Sequence, residues 1–150
     1  MRGRIWGCRG SLATPGPATV RTGGNTSCVE LRTGSGAVVV LDAGTGIRPL
    51  GLALAAEGIR EVDLLLTHLH LDHLEGLGFF IPLWDPACTI RIWGPRADVP
   101  LQERIAAYLS PPLFPIPFES IPAQLRFEEL WEDEREIGGV TVRSAPVSHP

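Results

Sequence analysis

Apolar residues fall in short blocks separated by segments rich in glycine and proline. Residues 37–41 and 62–66 are near-continuous apolar runs of strand length, the pattern of strands covered on both faces. Residues 27–32 alternate, and the turn sequence Thr33, Gly34, Ser35, Gly36 joins them to 37–41 as a predicted hairpin. Further strands are predicted at 5–8, 89–93, 125–130 and 140–145. A helix is expected over 49–57, with Pro49 in its first turn and Gly58 at its end. Others are expected from about Asp72 and over 101–109. Residues 10–25 hold four Gly and two Pro and read as a loop; residues 110–122 hold five Pro, too many for regular structure. The acidic run 132–136 reads as a solvated connection. Strands alternating with helices, without repeats or an interdomain linker, predict an α/β (α+β layered) domain.

Composition narrows the classes of function. The 150 residues suffice for one domain with its own core. A net charge of −4 gives no basic footprint for nucleic acid, although it leaves such a substrate open. All 13 basic residues are Arg and they form no stripe. Cys8, Cys28 and Cys88 make no C-x-x-C pair, so reduced, buried thiols in a cytoplasmic protein are expected. No run of about 18 apolar residues is present, so no membrane span is expected, and the N-terminus lacks the apolar core of a signal peptide.

The chemistry lies in the histidines. Three of the four fall within six residues, as His68, His70 and His73, with Asp72 among them. A strand points alternate side chains the same way, so His68 and His70 can share a face and meet one ion at about 2.0–2.1 Å. After the chain turns, Asp72 and His73 can face a second ion. His149 follows the last apolar strand, where a distant third ligand would be presented. Imidazole and carboxylate without thiolate suit Zn(II), with Mn(II) and Fe(II) as alternatives. Two ions about 3.5–4 Å apart would clamp a bridging hydroxide and activate it.

The segment His68 to Gly76 reads H-x-H-x-D-H-x-x-G and, with Leu41 to Gly46 and Ser148-His149-Pro150, resembles the metallo-β-lactamase superfamily. Cys8-Arg9-Gly10-Ser11 and Gly23 to Ser27, together with Leu41 to Gly46, are similar to its phosphodiesterase-like, tRNase Z-like branch. The resemblance implies the N-terminal half of an αββα sandwich, with residues 1–150 a single partial domain truncated after the His149 motif. It implies that His68, His70 and His149 hold one metal and Asp72 and His73 the other, with a bridging Asp and a last His lying further along. Asp42 is then expected to brace the ligands by hydrogen bonding, and Asp72 to orient the nucleophile as well as ligate.

The expected activity is that of a zinc phosphodiesterase using metal-bound hydroxide on a small-molecule or nucleotide-like phosphodiester. Alternatives are a thioester, lactam or lactone hydrolase of the same fold, or a non-catalytic metal-binding module. An open sheet face would make homo-oligomers. Other residues are read blandly: Thr67 as a local hydrogen bonder, Glu75 as a solvated helix-end residue, Asn25 as part of a turn. Phe114 and Phe118 could line an entrance or pack as a crossover. The four tryptophans are expected in the core.

Overall fold

The computed structural model describes residues 1–149. The predicted hairpin forms as β2 (Cys28–Arg32) and β3 (Val38–Leu41), antiparallel, with β1 (Arg2–Gly7) antiparallel on the outer side of β2. Beyond β3 the sheet turns parallel through β4 (Glu61–Leu65), β5 (Thr89–Pro95) and β6 (Gln124–Leu130). The six strands thus lie in sequence order, β1 to β6. The connections between parallel strands carry the helices α1 (Ile47–Ala56) and α2 (Leu101–Tyr108).

Burial of alternate residues explains the sidedness. Val38, Val40, Val62, Leu64, Ile90 and Ile92 face the helical layer, where Ile47, Leu50 and Leu54 of α1 and Leu101 and Ile105 of α2 meet them. The spacing of these helical positions is the i, i+3, i+4, i+7 stripe that a half-buried helix requires. Gly51 lets α1 approach the Phe80 ring more closely than any Cβ would allow. On the opposite face Val39, Leu65 and Ile137 form a smaller cluster with Leu31, Leu41, Trp93 and Val142.

That second face is not bare. A separate hairpin, β7 (Glu134–Ile137) and β8 (Val140–Arg143), brings Ile137 and Val142 against it. Asp63 is buried there, with Arg91 donating two hydrogen bonds to its carboxylate and Trp93 donating a third. The solvated connection expected at 132–136 is therefore partly strand. Its turn is Gly138-Gly139, both with positive φ (59° and 79°), as a tight twisted hairpin needs.

The helix expected from Asp72 does not form. Short 3-10 turns occupy Leu71–His73, Leu77–Phe79 and Ile81–Trp84. The carbonyl of His73 accepts from the Ala43 amide at 2.8 Å, and the Gly76 amide donates to the Ala43 carbonyl at 2.9 Å. Both groups are needed for an α-helical ladder and both are taken by another loop. Two further expectations fail: Cys8 is exposed rather than buried, and Trp131 is 53% exposed. Among the described residues no helix is long and apolar enough to cross a membrane.

Candidate metal centre

The centre lies where β3 and β4 end, at the carboxyl edge of the parallel strands, the usual place for a site in such a sheet. Asp42, one residue past β3, stands at φ 63°, an uncommon conformation for a non-glycine residue and most often tolerated by Asp and Asn. The turn aims a buried carboxylate at four groups. Oδ1 accepts from the Thr67 amide at 2.9 Å and the Thr67 hydroxyl at 2.8 Å; Oδ2 accepts from the Ser27 hydroxyl at 3.0 Å. Nδ1 of His73 lies 2.8 Å from Oδ2, out of line for a hydrogen bond. Thr67 is thus bonded across the fold to Asp42, not only locally.

The four histidine rings gather above this carboxylate. Ring centroids of His68 lie 4.6 Å from His70, 4.1 Å from His73 and 4.7 Å from His149. His68, His70 and His149 each offer a nitrogen within 4.8 Å of the others, an arrangement that could hold a metal ion. His149 Nε2 stands 3.2 Å from His70 Nδ1, and two nitrogens bound at ~2.0–2.1 Å to one tetrahedral ion stand about 3.3 Å apart. Nε2 of His68 is buried with no hydrogen-bond partner among the described residues. A buried nitrogen without a partner is costly unless something else uses its lone pair, and a divalent cation fits that need. Burial first, then the neighbouring His73, His70 and His149, push the His68 imidazole below its ordinary range, which favours the neutral form a metal requires.

Asp72 and His73 sit to one side of this trio. His73 Nε2 is 3.4 Å from Asp72 Oδ2, and the Ser11 amide donates to the same oxygen at 2.8 Å. Burial alone would raise the Asp72 carboxyl, but the Ser11 N–H and the His73 ring outweigh it and hold the group below the usual range. The loop 71–76 rests on the loop that follows β3. A Cβ on Gly44 would strike the Asp72 carbonyl and Thr26 Oγ1, and one on Gly76 would strike the Gly44 carbonyl.

Several supporting residues escaped the sequence reading. Glu75, expected in solvent, is half-buried and accepts from the Thr26 hydroxyl at 2.9 Å. Thr26 is fully buried; its amide donates to Thr45 Oγ1, whose hydroxyl donates to Asn25 Oδ1. Asn25 is therefore part of this buried network and not merely a turn. Ser11 acts through its backbone, held at φ 64°, and nothing in a side-chain pattern signals an amide contact of that kind. Phe114 packs between Phe79 and Trp84, with ring centroids at 6.1 and 6.2 Å, and Phe118 lies 6.1 Å from Phe127.

The chain is similar to several known proteins. A 70-residue segment is 43% identical to a hydroxyacylglutathione hydrolase of Stenotrophomonas maltophilia (strain R551-3), covering 47% of this chain and 24% of that protein. A 50-residue segment is 40% identical to a hydroxyacylglutathione hydrolase of Jannaschia sp. (strain CCS1), covering 33% of this chain and 18% of that protein. The matches thus span about a quarter or less of those relatives. Among solved structures, a diphosphatase of the PhnP family superposes with a TM-score of 0.53 at 21% identity, over 77% of this chain and 42% of that one, a likeness of fold. Residues 21–150 match the metallo-beta-lactamase superfamily as a whole, and the chain belongs to that superfamily.

Proposed function

We propose that this chain serves a zinc-dependent phosphodiesterase centre, with His68, His70 and His149 holding one divalent ion and Asp72 and His73 reaching a second. The convergence of three ring nitrogens within 4.8 Å carries the reading. A divalent cation there supplies Lewis acidity, activating water and offsetting charge that develops on the substrate. The chain's own residues do the rest. His68 is kept neutral by its buried, imidazole-lined surroundings. Asp72, kept ionised by Ser11 and His73, is an acceptor suited to orient the proton of an attacking water. Asp42 fixes the Thr67 amide and hydroxyl beside His68.

A phosphodiester substrate is supported by the resemblance of the 8–11, 23–27 and 41–46 segments to the phosphodiesterase-like branch. Thioester hydrolysis is a second reading, favoured by the two hydroxyacylglutathione hydrolases, which share at least 40% identity over their matched segments. Zinc-loaded protein assayed on a bis-aryl phosphate and on a glutathione thioester separates the two. Faster turnover of the phosphate ester is expected. Turnover of the thioester alone would favour the second reading, and turnover of neither by zinc-bound protein would indicate a binding module. Asp72→Ala should lower the rate roughly 100-fold or more, while the zinc on the three histidines is retained.

A further inference from the structure

We infer that Thr67 is a positioning residue whose hydroxyl fixes the His68 tautomer, so that Nε2 presents its lone pair to the centre. The inference rests on the metal-site reading above and follows from counting protons. The Thr67 hydroxyl has one proton, and it is given to Asp42 Oδ1 at 2.8 Å. The same oxygen lies 3.1 Å from His68 Nδ1. With its proton already donated, Thr67 Oγ can only accept, so His68 Nδ1 must carry the hydrogen. A neutral imidazole has one N–H, which leaves Nε2 as an acceptor. Nε2 is the nitrogen that is buried without a hydrogen-bond partner among the described residues. An Nε2–H there would be a buried donor with nowhere to give its proton, so the two observations agree independently.

The relay also explains the strained turn at Asp42. The turn at φ 63° points one carboxylate oxygen at both the amide and the hydroxyl of Thr67. The chain Asp42, Thr67, His68 thereby couples the end of β3 to the first histidine after β4. The other oxygen of Asp42 lies 2.8 Å from His73 Nδ1, so the same carboxylate also stands beside a histidine of the second proposed metal position.

Long-range proton–nitrogen NMR of the metal-free protein, above the ordinary imidazole range, reads which ring nitrogen carries the proton. His68 should be Nδ1–H in the wild type and in Thr67→Ser, and a mixture of tautomers in Thr67→Val. Zinc affinity, measured by competition with a chromophoric chelator, should fall about 10–100-fold in Thr67→Val and be largely restored in Thr67→Ser. A purely structural role for the hydroxyl would not move the tautomer. Predominant Nε2–H in the wild type would overturn the inference even if Thr67→Val failed to fold, as would identical tautomers in wild type and Thr67→Val. Equal zinc affinity in Thr67→Val and wild type would also overturn it. A wild type that is Nδ1–H yet binds no zinc would leave the tautomer relay standing and sink the metal reading instead.

Discussion

At the scale of single residues, environment decides what each titratable or nucleophilic group can do. Cys28 is fully buried, and that burial, with Asp42 and Glu30 nearby, raises its thiol far above the ordinary range. Cys88 is raised too, by burial and then by Asp85. Cys8 is exposed. Because the thiolate is the reactive form, an aromatic disulfide reagent should titrate one thiol quickly in folded protein and all three after denaturation. Rapid modification of two or more in the folded protein would contradict the burial of Cys28 or Cys88. The gathering of the histidines was legible in the sequence because three of them stand within six residues at the end of a strand. Their supports were not. Ser11 contributes an amide, Thr26 and Glu75 pair across 49 positions, and Thr67 differs from an ordinary strand-end residue only in what lies opposite it.

At the scale of elements, sequence patterns were most reliable where one force dominated. The apolar runs of β3 and β4 and the stripe of α1 report burial directly, and they fell within a residue or two of the predicted bounds. The reading failed at 71–76, where helix-compatible residues are bent into tight turns by bonds to Ala43. It failed again at β7, whose charged sequence hides a strand; the signal was the Gly138-Gly139 turn between Ile137 and Val140. Close backbone approach between the two site loops gives a stability prediction. Gly76→Ala places a methyl against the Gly44 backbone and the Ile47 side chain, and overpacking of this kind costs about 1–3 kcal/mol. Chemical denaturation should show a loss in that range. Unchanged stability would mean that the loops do not meet as described.

At the scale of the whole molecule, one sheet serves two purposes. Its helical face supplies the main core, and its carboxyl edge supplies the ligands. The other face, expected to be open, is partly covered by the β7–β8 hairpin and carries the buried Asp63 paired with a half-buried Arg91, so its apolar area is smaller than the strand patterns alone suggest. The segment after the hairpin sets His149 beside His70, which is 79 positions earlier. A metal held by that trio would join the end of β4 to the segment after β8 and stabilise the folded state by mass action. Elemental analysis of purified protein is the most direct measurement of this account. Three imidazoles make an adequate zinc site, whereas Asp72 and His73 alone seldom do, so about one tightly held zinc per chain is expected. A His68→Ala/His70→Ala double variant should hold none. Absence of zinc from the wild type, two tightly held zincs, or equal zinc in the double variant would contradict it.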